Sequence, residues 1–226
     1  LTVFIRFMYV PFINVINQWQ TIIVFLSIAS MILGAVAAIG QNNIKRLMAY
    51  SSIGHMGYAL AGIAAGTNSG IQSTIVYLTI YLAMNLGAFG CLFMMKRESV
   101  YYENVNDLAG LAKNHPLLGL SFLIIFFSLA GIPPLAGFFA KFYIFVSVIE
   151  SNMYALAIIG LITTVISAFY YLRIIKIIYF DKSKKSFEIS YDWGLKTSLF
   201  LTTVLILIYF AYPSILTQVT SNIQIN

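Results

Sequence analysis

Long apolar segments alternate with short polar breaks along almost the whole chain. The full-length apolar runs are residues 21–40, 44–66, 71–95, 116–149, 153–180 and 195–212, and residues 1–10 form a shorter one. A helix needs about 20 apolar residues to cross a membrane, whereas a strand of a membrane barrel alternates apolar and polar residues over about 10. The pattern therefore predicts an all-α, polytopic transmembrane helix bundle with six full spans and one partial N-terminal span. These spans leave no room for another domain, so residues 1–226 are expected to form a single membrane domain.

The run at residues 116–149 is too long for one straight span, because it would extend about 50 Å as a continuous helix. Two prolines, Pro133 and Pro134, remove backbone donors inside it, and Gly131 and Gly137 flank them. These residues predict one discontinuous helix, although a simple proline kink is the alternative. Broken helices at membrane depth are tolerated where they line cavities, and transporters place ion sites at such breaks.

Composition supports a membrane protein and excludes two other classes. The chain is 60% hydrophobic and 9% charged, with a mean hydropathy of +0.89, whereas soluble domains carry about 25% charged residues. An ordinary soluble enzyme and a disordered chain are therefore excluded. The lone cysteine, Cys91, excludes a disulfide within the chain, and no basic segment suggests a signal peptide. Nucleotide-binding loops, haem-type histidine pairs and cysteine clusters are missing as well, so no redox centre or bound metal is expected here.

The net charge of +6 is distributed unevenly across the predicted bundle. If six spans alternate, one face receives every basic residue except Arg6 and Lys141, which lie inside spans. The residues on that face are Lys45, Arg46, Lys96, Arg97, Lys113, Arg173, Lys176, Lys182, Lys184, Lys185 and Lys196. Basic loops of membrane proteins remain in the cytoplasm, so this face is predicted to be cytoplasmic.

Lys141 is the most unusual residue of the predicted spans. It lies about 13 Å along the helix from the polar end near Glu150, close to the middle of the membrane. Ionisable side chains at that depth are costly and by default indicate an ion or proton pathway. The alternative is a lysine that pairs with a carboxylate of another chain purely for assembly.

His55 lies in the segment 44–66, about 16 Å from its cytoplasmic end. Histidine titrates near neutral pH and can pass protons. Ser51 and Ser52 precede it by about one turn, so one helix face could hold a His–Ser hydrogen-bond chain. The alternative is a buried histidine that a serine merely satisfies. Lys45 lies at the start of the same helix. Taken alone, it is interpreted as a helix-end lysine whose charged group extends to the membrane surface.

Two long motifs resemble the antiporter-like membrane subunits of respiratory complex I. Residues 41–58, QNNIKRLMAYSSIGHMGY, are similar to the central-axis helix of that family. Residues 129–142, LAGIPPLAGFFAKF, are similar to its broken helix, and residues 81–89 and 167–173 also fit. The resemblance covers nearly the whole chain, and the lysine followed by an aromatic residue favours the subunit N group.

The resemblance implies a mechanism and a setting. Lys141 matches the lysine of a proton half-channel, and His55 and Lys45 match the family's midplane proton relay, which makes these three the expected catalytic residues. NADH, flavin, iron–sulfur clusters and quinone are expected in partner subunits, so this chain is expected to bind no cofactor. The partners implied are other complex I membrane subunits and the lipid bilayer, with no nucleic acid. The implied location is a bacterial inner membrane rather than the mitochondrial one.

Subunits of this family are about twice as long as the chain, which therefore resembles a C-terminal half. The missing N-terminal half of the same subunit is thus an expected partner. Two other functions remain open: a subunit of a multi-subunit Na⁺/H⁺ antiporter, and a non-conducting structural remnant that packs in the complex.

Overall fold

A computed structural model of the chain describes residues 1–96, 103–182, 188–189 and 192–221. The N-terminal helices are α1 (Thr2–Tyr9), α2 (Ile16–Ile39), α3 (Ile44–Ala64) and α4 (Asn68–Met94). The C-terminal helices are the single-turn α5 (Leu111–Asn114), α6 (Pro116–Ala130), α7 (Ala136–Glu150), α8 (Tyr154–Phe180), α9 (Trp193–Ala211) and α10 (Ser214–Ser221). Two-residue strands, β1 (Met95–Lys96) and β2 (Glu188–Ile189), pair antiparallel, and 3-10 turns occupy Ile13–Val15 and Val105–Leu108. The prediction of an all-α bundle is confirmed.

Local sequence signals explain where several helices begin. Asn43 precedes α3 and its side chain accepts a hydrogen bond from Arg46 N, while Thr67 does the same for Gly70 N at the start of α4. Each cap satisfies a backbone donor that has no partner within the helix. Pro116 occupies the first turn of α6, where its missing N–H costs nothing.

Four helices among the described residues are long and apolar enough to cross a membrane: Ile13–Ile39, Asn68–Met94, Tyr154–Phe180 and Trp193–Ala211. Pro116–Ala130 is apolar but shorter. The predicted span at residues 44–66 forms α3, which is not among the four. It contains Lys45, Arg46 and His55, and its polar side chains lower its hydropathy.

Helix α3 lies in the interior, where it packs against α2, α4, α7 and α8. Its contact with α2 is close because Gly34 of α2 lies against the backbone of Gly54. The outer faces of the long helices instead expose large apolar side chains, among them Phe25 of α2, Val165 of α8 and Phe200 of α9. An apolar exterior around a more polar interior is what a bundle surrounded by lipid requires.

The connections gather at two opposite ends of the bundle. At one end, Ile44 N donates to Glu103 O, Val105 N donates to Asn42 O, and β1 pairs with β2. At the other end, Ser69 Oγ donates to Glu150, and Gln20 Nε2 donates to the Ala64 carbonyl. The predicted basic-loop residues Arg97, Lys184 and Lys185 lie outside the described residues.

Candidate functional site

The break between α6 and α7 creates the setting for the buried lysine. Gly131 ends α6 in the left-handed conformation (φ +83°), which glycine adopts without a steric penalty. Gly131 N and Ile132 N donate to the carbonyls of Ser128 and Phe127, at 2.9 and 3.0 Å. Residues 131–135 then separate the two helices, and the peptide between Pro133 and Pro134 is cis. The last carbonyls of α6 are consequently available to a side chain.

Ser128 and Gly137 bring the two helices together across this break. The N–H of Gly137 donates to Ser128 Oγ at 2.9 Å, and Ser128 Oγ donates to Met84 Sδ of α4 at 3.0 Å. The Ser128 carbonyl lies so close to Gly137 that a Cβ at position 137 would collide with it. The absence of a side chain at Gly137 therefore sets how closely α7 approaches α6.

Lys141 lies in α7, one turn after Gly137, and is 4% exposed. Its Nζ donates to the carbonyls of Leu129 and Ala130, each at 3.2 Å. These carbonyls belong to the C-terminal end of α6, where the helix dipole attracts positive charge. In the part of the chain that the structure describes, no carboxylate lies within salt-bridge distance of Lys141. Among the described residues, the hydrogen-bond partners of its ammonium group are backbone carbonyls.

Tyr58 of α3 lies beside the lysine. Lys141 Nζ is 5.1 Å from the centroid of the Tyr58 ring, within the range of a cation–π contact. The Tyr58 hydroxyl is 3.1 Å from Thr163 Oγ1 and accepts a hydrogen bond from Thr164 Oγ1 at 3.0 Å, both on α8. The ring thus faces the ammonium group while its hydroxyl is tied to a neighbouring helix.

His55 is 3% exposed and holds a phenol at each ring nitrogen. Nδ1 is 2.6 Å from the Tyr77 hydroxyl of α4, and Nε2 is 3.1 Å from the Tyr171 hydroxyl of α8. Its ring stacks on Tyr81 with centroids 4.8 Å apart and meets the Tyr58 ring edge-on at 6.2 Å. A neutral imidazole donates from one nitrogen and accepts at the other, so both phenols can be satisfied at once.

The hydrogen bonds of Ser51 and Ser52 differ from the predicted His–Ser chain. The Ser51 hydroxyl is hydrogen-bonded to the Tyr171 hydroxyl rather than to His55, so a tyrosine of another helix lies between them. Ser52 Oγ donates to the Met48 carbonyl of its own helix at 2.8 Å. The polar chain therefore runs between helices rather than along one helix face.

Lys141, Tyr58 and His55 form a buried cluster with their hydrogen-bond partners, and Lys45 is not part of it. Its Nζ is 2.6 Å from Glu103 Oε1 and its side chain is 43% exposed, at the end of α3. Asn43 Nδ2 donates to the other oxygen of Glu103, and the hydrogen bonds from Lys45 and Asn43 lower the pKa of this carboxyl group. Lys45 and His55 are separated by about 15 Å along α3. The structure thus brings His55 and Lys141 together around Tyr58 and leaves Lys45 apart.

Several residues of the cluster are not predicted by the sequence analysis, namely Tyr58, Tyr77, Tyr171, Thr163 and Thr164. One signal could have identified Tyr58, because it lies three residues after His55 and shares its helix face. Nothing in the sequence indicates which α8 side chains meet α3. Among the described residues, no group of three His, Cys, Asp or Glu side chains could hold a metal ion.

Known proteins resemble the chain in sequence over its whole length. The family model described as NADH:quinone oxidoreductase/Mrp antiporter, TM, matches residues 1–167. NADH-quinone oxidoreductase subunit N of Pelagibacter ubique is 67% identical over 225 residues, which are 100% of the chain and 48% of that protein. The subunit N of Rhodospirillum rubrum is 49% identical over 215 residues, covering 95% of the chain and 44% of that protein. The chain spans about half the length of these relatives.

Two solved structures have the same fold. A chain of respiratory complex I from Thermus thermophilus with bound aureothin is 29% identical, with a TM-score of 0.77 over 88% of this chain and 45% of that one. A chain of the Mrp complex from Dietzia sp. has a TM-score of 0.80 over 90% of this chain and 46% of that one, at 19% identity. The second likeness concerns the fold alone.

Proposed function

The chain belongs to the NADH:quinone oxidoreductase/Mrp antiporter transmembrane family, and from that premise we propose that it forms part of a proton-translocating membrane subunit of an NADH:quinone oxidoreductase. The relatives that are 67% and 49% identical are both named subunit N of that enzyme, which supports the choice. The chain corresponds to a C-terminal half and provides one proton half-channel. As a subunit of this translocase it has an enzymatic role without performing the redox chemistry itself.

Lys141 is the proton-carrying residue of the half-channel, and its position is the single observation on which the proposal rests. The ammonium group is buried at the break between α6 and α7 and is held by the Leu129 and Ala130 carbonyls. A lysine paired with a carboxylate would keep its proton, whereas one held by neutral dipoles can release it when its surroundings change. Gly131, Pro133, Pro134 and Gly137 have a structural role, because they create the break.

His55 and Lys45 complete the relay. The two phenols at the His55 ring let a proton arrive at one nitrogen while another leaves from the opposite nitrogen. Lys45 acts further away, at the mouth of the proposed path, and its contact with Glu103 at the end of α3 supports this role. Hydrated polar side chains connect the three positions during turnover.

The membrane arrangement follows from the ends of the bundle. Residues 1–226 form one membrane domain with six full spans and a partial first span, in which α6 and α7 together make one broken span and α3 crosses inside the bundle. The end that holds Lys45 and Lys113 faces the cytoplasm of a bacterial cell, and the membrane is its inner membrane. The bacterial relatives support this location.

Electron transfer belongs to partner subunits. NADH, flavin, iron–sulfur clusters and quinone bind there, and redox energy reaches this chain through contacts with other membrane subunits. The N-terminal half of the same subunit is a further partner, because the chain matches only 48% of its 67%-identical relative. A Na⁺/H⁺ antiporter subunit is less well supported, since the Mrp likeness is one of fold at 19% identity.

The test is a Lys141→Ala substitution in the intact enzyme complex, with NADH-driven proton pumping and NADH:quinone turnover measured in membrane vesicles. We expect both to fall by about tenfold or more, because a proton-transfer group is lost, while the complex still assembles. Lys141→Arg should restore little activity, because guanidinium holds its proton too tightly to pass it on.

Lys176→Ala is the matched control, because Lys176 is an exposed lysine on α8. It should leave pumping unchanged. Normal pumping in the Lys141→Ala complex would remove Lys141 from the mechanism and favour a non-conducting structural role. Sodium-dependent pumping in the unaltered complex would instead favour the antiporter alternative.

A further inference from the structure

The face of the Tyr58 ring is turned towards the only charged atom of the buried cluster described above. Lys141 Nζ is 5.1 Å from its centroid, and the two residues are 4% and 2% exposed. A cation over an aromatic face gains most where water is excluded, because water no longer competes for the charge. This contact is therefore placed where it stabilises the protonated lysine.

The Tyr58 hydroxyl is occupied elsewhere. It bonds to Thr163 and Thr164 of α8, and both threonine hydroxyls also contact the Gly160 carbonyl. In the described contacts the hydroxyl reaches neither Lys141 nor His55. The hydroxyl therefore orients the ring, and the ring, not the hydroxyl, meets the lysine.

The surroundings of Lys141 contain few other groups that could hold its charge. α7 packs against α3, α4, α6, α8 and α9. Apart from Lys141, the buried titratable side chains of α7 and of these helices are His55, Tyr58, Tyr77, Tyr81, Cys91, Tyr170, Tyr171 and Tyr209. α6 contributes backbone carbonyls alone. Within the described residues, two carbonyl dipoles and one ring face are the contacts that balance the positive charge.

We propose that Tyr58 is a positioning residue for proton transfer, whose ring face holds the protonated Lys141 at the helix break and so sets how readily this lysine is loaded. The proposal rests on the proposed function, since it assumes that Lys141 carries the proton. It assigns the ring, rather than the hydroxyl, to this task.

The test varies the electron density of the ring without changing its size. In the intact complex, Tyr58→Phe is compared with phenylalanines that carry one, two or three ring fluorines at position 58, introduced by nonsense suppression. We expect Tyr58→Phe, which keeps the aromatic face, to pump better than Tyr58→Leu, and it is the reference for the fluorinated series. Fluorination should lower pumping stepwise, by about fivefold or more with three fluorines, because it removes the negative face of the ring. Acidifying the medium should restore pumping, since more protons are available to load the lysine.

The control is the same fluorinated residue at Phe122, which is fully buried in α6 and packs on Phe126. It should leave pumping and its pH profile unchanged. A flat fluorine series at position 58 would overturn the proposal. So would a Tyr58→Phe complex as impaired as Tyr58→Leu, because the hydroxyl would then be the working group. If Lys141→Ala pumps normally, the proposed function itself fails; if it does not and the series is flat, only the role of Tyr58 fails.

Discussion

Lys141 and His55 show how the interior of this protein accommodates ionisable side chains. Both are almost completely buried, and their partners are backbone carbonyls for the lysine and phenols for the histidine. A buried charge without a partner costs several kcal/mol, so these contacts are needed for the fold as well as for chemistry. They are also neutral, which allows each side chain to change its protonation state.

At the residue scale, we expect His55→Ala to lower NADH-driven proton pumping less than Lys141→Ala does, with the complex still assembled. The substitution removes the imidazole from the buried Tyr77 hydroxyl, at a cost of about 1–3 kcal/mol, whereas the Tyr171 hydroxyl keeps its hydrogen bond to Ser51. Pumping and the amount of assembled complex should be measured together. Thr79→Ala is the control, because Thr79 is exposed on α4 and its hydroxyl donates to the Ile75 carbonyl of its own helix. Loss of assembly in the histidine variant, with the control intact, would mean that His55 is structural.

At the scale of secondary-structure elements, α6 and α7 act as a pair. Their contact depends on Gly131, which turns the chain, and on Gly137, which lets the Ser128 carbonyl approach. Lys141 reaches the end of α6 because α7 starts at this distance from it. The position of the lysine is therefore a property of the break and not of α7 alone.

We expect Gly137→Ala to destabilise the subunit by about 1–3 kcal/mol, the usual cost of overpacking a close contact. The added methyl group must push α7 away from α6 and hence Lys141 away from its carbonyls. The amount of assembled subunit and its thermal unfolding in detergent would measure this.

Gly40→Ala is the matched control for that substitution, because a Cβ at Gly40 meets nothing within 4 Å and its φ is −78°. An equal effect of both substitutions would show that general helix-end sensitivity, rather than the α6–α7 contact, is responsible.

At the scale of the whole molecule, the loops gather at two ends of a bundle whose outer faces are apolar. Lys113 is exposed at the end that holds Lys45 and Glu103, and Asn68 is exposed at the opposite end, near Glu150. The basic end should face the cytoplasm, because positively charged loops are retained there.

Cysteine labelling tests this orientation. A membrane-impermeant thiol reagent should label Lys113→Cys in inverted vesicles and Asn68→Cys in intact spheroplasts. Cys91 is fully buried and should remain unlabelled in both, so it serves as the internal control. Labelling of both introduced cysteines from the same side would contradict an odd number of crossings between them.

Much of the fold could be predicted from the sequence. The apolar runs locate the helices to within a few residues. The family could be recognised because the two motifs are long and specific, and the family model and the relatives confirm it. For α3 the apolar run is a weaker guide, since its polar residues make it less apolar than the other long helices.

The sequence by itself determined the helical class and the burial expected of Lys141, because membrane thickness and the cost of desolvating a charge act locally along the chain. Only the tertiary structure decided the partners: Tyr58 beside Lys141, the two phenols on His55, and Lys45 bound to Glu103 instead of joining the cluster. Those contacts join residues far apart in the chain. They depend on how the helices rotate and approach one another, which close glycine contacts and side-chain packing set together.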